Sequence, residues 1–222
     1  MIHIMPGIDK IILSFDLDFT LIDNREGIIN SFTYALQKYG LPVIHKSIIE
    51  KMIGTPLEEI FSSVSDFEPS LLCSAFRDYY GSKGIFQVSL YSGVKDLLKT
   101  LKRSFLLGVI TSKKEELAIK LLQNLKIADY FDFILGETEG RKSKTHPDLI
   151  QFLLETYRGY KFVIIGDHPN DKKLAAELEC PFIGVLTGNH SAKDLESTNT
   201  QVKMIILNSI EELTKEKILS LF

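Results

Sequence analysis

The sequence predicts a doubly wound α/β protein with a parallel sheet, interrupted after its first strand by an all-helical insertion. Three observations carry this. A short apolar run, Ile11–Phe15, leads directly into acidic residues. Residues from about 24 to 88 show helical spacing and little strand signal. From Tyr91 onward apolar runs alternate with helical stretches, the order that builds a parallel sheet with right-handed crossovers. The resulting boundaries are 1–21 with 90–222 for the core and 22–89 for the insertion.

The elements follow in order. Ile11–Phe15 is short, β-branched and aromatic, with no polar alternation, the mark of a strand buried on both faces. Ile28, Ile29, Phe32, Ala35, Leu36 and Tyr39 fall at helical spacing, and Gly40 with Pro42 ends that helix. Ser47-Ile48-Ile49-Glu50 and Thr55-Pro56-Leu57-Glu58 each match a capping box, with Pro56 at the favoured first helical position. A further helix covers 69–80, broken by Gly81 to Gly84. After it, helix 93–103 precedes strand 105–110, and Ser112-Lys113-Lys114-Glu115 caps a helix running to about 126. Strand 131–135, helix 147–157, strand 161–165, helix 170–179 and strands 181–186 and 203–207 complete the alternation. Ser209-Ile210-Glu211-Glu212 caps the closing helix, and no internal repeat appears.

A chain of 222 residues buries roughly 70% of its unfolded surface and needs no disulfide staple. Cys73 and Cys180 read as reduced thiols in a cytoplasmic protein. Neither lies at a strand end or beside a candidate base, which argues against a cysteine nucleophile. The stretch Met1 to Pro6 lacks a basic region and predicts no signal peptide. No apolar run approaches the length of a membrane span. A net charge of -3 argues against a nucleic-acid surface, a local basic patch aside.

Open α/β sheets bind ligands at the carboxyl ends of their strands. Asp16 and Asp18 follow the first strand, Thr111 and Ser112 the second, and Asp167 the strand 161–165, with Asp171 four residues on. The basic cluster Arg141-Lys142-Ser143-Lys144 follows strand 131–135. Each residue alone has a plainer reading. Asp-x-Asp is common in turns, Thr111 suits a strand end or an N-cap, and Asp167 and Asp171 suit the start of a helix. Ser112 is the better cap, leaving Thr111 for a ligand. Arg141 and Lys142 compete with Lys144, which its spacing to Pro147 favours. Four such features in order make coincidence remote.

This pattern resembles the haloacid dehalogenase-like (HAD) superfamily of phosphotransferases. The nearest subfamily has a small helical cap after the first motif and includes phosphoglycolate phosphatases and β-phosphoglucomutases. Asp16-Leu17-Asp18-Phe19-Thr20 is similar to its D-x-D-x-T motif, and Thr111 to its second motif. Lys144-Thr145-His146-Pro147 is similar to its K-P-x-P motif, and Gly166-Asp167-His168-Pro169-Asn170-Asp171 to G-D-x-x-x-D. The resemblance implies a phosphatase acting on a small phosphorylated metabolite through an aspartyl-phosphate. Asp16 is then the nucleophile and Asp18 the acid–base residue. Mg²⁺ is held by Asp16, Asp167 and the Asp18 carbonyl, with Asp171 behind them. Thr111, Ser112 and Lys144 bind the phosphoryl oxygens. A sugar phosphomutase uses the same residues, and the sequence does not separate the two. The second aspartate disfavours dehalogenation.

Two departures stand out. Phe19 occupies a position that is often glycine, is expected to take an ordinary backbone conformation with its ring near the cap–core junction, and is the sole motive for a non-catalytic reading. Thr145 replaces a proline with little expected effect. His168 follows Asp167 where relatives carry a small residue, and reads as a solvated loop histidine; His146 reads as a helix start. The cap is expected to lid the site and choose the substrate, near 51–56 and around Asp23, Asn24 and Arg25. Lys51 and Arg25 read most simply as solvated charges.

Overall fold

A computed structural model describes residues 10–53, 57–141, 143–197 and 201–222. The expected N-terminal segment Met1 to Pro6, the Thr55-Pro56 half of one capping box and Lys142 lie outside the described residues. Two compact units emerge: the chain up to Ile22 with Leu90–Phe222, and Asp23–Ser89.

The first unit carries a six-stranded parallel sheet. Its strands are β1 (Ile11–Phe15), β4 (Leu106–Lys114), β5 (Phe133–Glu137), β6 (Lys161–Gly166), β7 (Phe182–Val185) and β8 (Met204–Leu207), in the order β5-β4-β1-β6-β7-β8. The order reverses at β1, which pairs with β4 on one side and β6 on the other. Ligand crevices open at such a reversal. Side chains alternate across the sheet. Ile12, Ile110, Phe162, Ile164 and Phe182 pack on one face against Leu149 and Leu153 of α7 (Pro147–Thr156) and Leu174 of α8 (Pro169–Glu177). Leu13, Phe15, Val163 and Ile165, of opposite parity, are equally buried. Burial on both faces accounts for the unbroken apolar runs.

The short strands β2 (Ile22–Asp23) and β3 (Ser89–Leu90), not expected from the sequence, pair where the chain leaves and rejoins this unit. The second unit holds α1 (Arg25–Lys38), α2 (Lys46–Met52), α3 (Leu57–Val64) and α4 (Pro69–Ser82). Its core is its own: Phe32 lies 4.7 Å from Phe61 and 5.1 Å from Phe76 between ring centroids, with Leu36, Ile49 and Leu72 around them. Gly40 takes φ +68° and closes α1 as expected.

Three expected caps fail for visible reasons. Ser47 lies inside α2, because the His45 imidazole accepts from the Ser47 N–H and starts the helix earlier. Ser112 caps nothing. β4 runs past the expected end at 110, through Thr111 and Ser112 to Lys114, with an irregular register against β5, and α6 (Glu115–Asn124) starts after Lys114 without a side-chain cap. Glu115 is instead engaged by Arg141 and the Gly136 N–H. Ser209 precedes a single 3₁₀ turn, and the closing helix α10 (Lys215–Leu219) is capped by Thr214. The remaining α-helices among the described residues are α5 (Val94–Leu101) and the short α9 (Ala192–Glu196). Among the described residues, no helix is long and apolar enough to cross a membrane.

Candidate active site

Pairing of β1 with β4 and β6 brings three strand ends together. Asp16 leaves β1 directly, its N–H donating to the Ile165 carbonyl at 2.8 Å. Asp167 leaves β6, and Asp171 sits in the first turn of α8. Carboxylate oxygens of Asp16, Asp167 and Asp171 lie within 4.8 Å of one another, and all three residues are buried. Lys144, in the loop before α7, reaches into the cluster. Its ammonium donates to Asp16 Oδ2 at 2.8 Å and Asp171 Oδ1 at 2.6 Å.

One cation among three buried carboxylates leaves an excess of negative charge. Burial pulls the Lys144 ammonium down, but Asp16 and Asp171 outweigh it and hold the group above the usual lysine value. Burial, then the charges of Asp16 and Asp171, raises Asp167 well above the ordinary carboxylate range. Asp171 is pushed up to about 7 by burial, against the pull of Lys144. Asp16 Oδ1 is buried and has no hydrogen-bond partner among the described residues. A divalent cation with hard oxygen ligands fits this donor set. Three carboxylates meet, their repulsion is only partly neutralised, and a buried oxygen is left for a bond the protein does not make.

Asp18 does not join the three. Its carboxylate turns to the Lys113 ammonium at 3.0 Å, so any part in metal binding falls to its backbone carbonyl, as the resemblance implies. Burial raises the Asp18 pKa, with Lys113 pulling against it. Thr111 is 4% exposed on β4, two residues beyond the partner of Phe15. Its hydroxyl accepts from the Lys113 N–H at 3.2 Å, which keeps the hydroxyl hydrogen for another acceptor. Ser112 is exposed beside it.

Two readings of single residues change. Phe19 does not take an ordinary conformation: its φ is +59°, in the region glycine would have occupied, although its side chain is buried. That conformation costs an L-residue about 1–2 kcal/mol. His168 is not a solvated loop residue. It is the N-cap of α8, its Nδ1 accepting from the Asn170 N–H at 3.0 Å while Asp171 Oδ2 accepts from the His168 N–H at 3.1 Å. Burial, neighbouring His190 and the Lys144 ammonium push its pKa down to about 4, so it is neutral at physiological pH. The two imidazoles meet edge to face, 4.4 Å apart. His146 caps α7 as read.

Sequence reasoning passed over Lys113, the Thr20 hydroxyl that donates to Asp167 Oδ1 at 3.2 Å, and the loop after β7. In that loop, a Cβ on Gly188 would lie 1.9 Å from Asp167 Oδ2. The signal for the loop was present: Thr187-Gly188 follows an apolar strand, as the other site residues do. In the second unit, Arg25 pairs with Asp23 at 2.7 Å, and both line a cavity of about 660 Å³ with Lys46, Glu50 and Phe86. Lys51 is exposed on α2.

Comparison with known proteins adds four findings. A family model described as haloacid dehalogenase-like hydrolase matches residues 12–185. The crystal structure of a predicted phosphatase from Clostridium acetobutylicum is 34% identical, with a TM-score of 0.77, covering 97% of this chain and 100% of that one. Phosphoglycolate phosphatase of Yersinia pseudotuberculosis is 30% identical over 187 residues, 79% of this chain and 81% of the relative. Tyrosine-protein kinase PtkA of Mycobacterium tuberculosis is 29% identical over 203 residues, 89% of this chain and 69% of the relative.

Proposed function

The chain belongs to the haloacid dehalogenase-like hydrolases, and from that premise we propose that it is a Mg²⁺-dependent phosphatase that hydrolyses a small phosphate monoester through an aspartyl-phosphate on Asp16. The observation that carries the proposal is the buried Asp16–Asp167–Asp171 cluster around the Lys144 ammonium, with Asp16 Oδ1 unpartnered at the end of β1.

The side chains take distinct parts. Asp16 attacks phosphorus with a carboxylate oxygen, forming a P–O bond as the ester P–O bond breaks. Asp18 gives its proton to the departing oxygen, then takes one from the water that attacks the aspartyl-phosphate and returns Asp16. Burial raises the Asp18 pKa, which favours the protonated form the first step needs. Lys144 and Thr111 bind phosphoryl oxygens as charge shifts between them. Asp16, Asp167 and the Asp18 carbonyl would hold Mg²⁺, with Asp171 behind them, and the bound ion supplies charge neutralisation of the phosphoryl group. Asp171 also fixes Lys144 and caps α8, so one carboxylate ties the lysine to the helix.

Support for a phosphatase also comes from relatives named as phosphatases. We assign the choice of substrate to the helical unit and its charged cavity, and place the protein in the cytoplasm, consistent with the free cysteines Cys73 and Cys180. The test is direct. Wild type with Mg²⁺ should hydrolyse p-nitrophenyl phosphate, chelation should stop it, and Asp16→Asn should abolish it. Full activity in Asp16→Asn would sink the mechanism. A phosphate-release screen across some dozens of metabolites would then identify the ester.

A further inference from the structure

Among the described residues, three that are not glycine take positive φ: Phe19, Lys126 and Glu179. Lys126 and Glu179 follow the ends of α6 and α8, where a left-handed residue is an ordinary way to close a helix. Phe19 follows no helix. It sits between Asp18 and Thr20, and a bulky residue there needs something to hold it.

The restraint comes from the loop after β7. The Thr187 hydroxyl donates to the Phe19 carbonyl. The Thr187 carbonyl in turn accepts from the Tyr91 hydroxyl at 3.3 Å, while the Tyr91 N–H donates to the Leu21 carbonyl at 3.1 Å. On its other side the Phe19 N–H donates to the Ile22 carbonyl at 2.8 Å. The next residue, Thr20, bonds Asp167. Relaxing Phe19 to negative φ would turn the Phe19–Thr20 peptide, swing Thr20 from Asp167 and re-aim the chain at Asp18.

We propose that Thr187 is a positioning residue: its hydroxyl holds Phe19 in the left-handed conformation and thereby orients Asp18 and Thr20. This rests on the reading of Asp18 as the acid–base residue. The same loop brings Gly188 against Asp167, so one segment sets both acidic edges of the site.

The test uses p-nitrophenyl phosphate and Mg²⁺. T187V removes the hydroxyl and keeps the shape, so kcat should fall roughly tenfold, the scale of one lost hydrogen bond in a fixed network, with KM within about twofold. T187S should recover the activity. In the F19G background, T187V should cost less than about twofold, because glycine takes positive φ without steric penalty. An equal loss in both backgrounds would overturn the proposal, since general destabilisation is indifferent to residue 19. Equal activity of T187V and wild type would do the same. Amide hydrogen exchange over 17–22 gives a readout free of turnover: it should quicken in T187V and not in T187S, and unchanged exchange in T187V overturns the latch. If wild type hydrolyses no ester, the phosphatase reading fails while exchange still decides Thr187.

Discussion

The ammonium of Lys113 lies 3.0 Å from a carboxylate oxygen of Asp18, and the lysine side chain is only 8% exposed. A cation so placed favours the ionised acid, whereas burial favours the protonated one. Asp18 is therefore poised between two opposing influences, of which burial is the larger.

Removing Lys113 takes away the largest influence opposing burial and leaves the weaker pull of Lys144. In K113M the Asp18 pKa rises further, so the alkaline limb of the kcat–pH profile, which requires protonated Asp18, should move up by about one unit. K113R should keep the limb in place. A limb that stays or moves down in K113M contradicts the role given to Asp18.

The acidic cluster links stability to pH and metal. Asp171 and Asp167 both have raised pKa values in the metal-free protein, so the fold holds protons that the unfolded chain releases above its ordinary value of 3.8. Stability of the metal-free protein should fall as pH rises from about 4 to about 7. Calorimetry in a chelator should show a higher Tm near pH 5 than near pH 7.5, on the order of a few degrees. Saturating Mg²⁺ binds the deprotonated carboxylates and should reverse the difference. A metal-free Tm that rises over this range would contradict the placement of the three acids.

Gly188 tests the loop against the metal site. An added methyl meets Asp167 Oδ2, the movable end of a side chain, rather than backbone. G188A should displace the carboxylate and weaken Mg²⁺ binding by about tenfold or more, while stability falls by only about 1–2 kcal/mol. Titration calorimetry and thermal unfolding separate the two effects. Unchanged affinity with a large loss of stability would reverse the assignment.

Cys180, in the hydrophobic core rather than the acidic cluster, gives a control. Burial pushes its thiol from 9.0 up to about 12. The fold thus keeps a proton that the unfolded chain loses, and stability declines as pH rises from about 9 to about 12. Relative to C180A, wild type should lose about 1.4 kcal/mol by about pH 10 in denaturant unfolding. Parallel pH slopes in the two proteins would show the thiol to be solvated.

Much of the fold was legible because strands buried on both faces announce themselves as unbroken apolar runs, as in Phe162 to Ile165. The residues that the sheet brings to one edge, Asp16, Thr111, Asp167 and Asp171, stood at or just beyond those runs. Caps were less legible. Ser47 and Ser209 had the right spacing, but His45 and Thr214 offered competing acceptors, and Glu115 was drawn off by Arg141. Lys113 was missed because a lysine beside a strand end looks solvated until Asp18 is placed opposite it. Phe19 was misread because the contact that holds it comes from Thr187, remote in sequence, which no local pattern reports.

The strand order has a kinetic consequence. Thr20 and Asp167 are 147 residues apart in the chain, and β1 is paired on both edges only after β4 and β6 have been synthesised and brought back to it. Loops of that length close slowly, and contacts so distant in sequence lower folding rates. Packing within the helical segment is short-range by comparison. On a ribosome, the first carboxylate emerges long before its companions and lacks its neighbours until most of the polypeptide has been made. Catalytic competence is thus acquired late, and a chain arrested before β6 would lack Asp167 and Asp171 and so have no site.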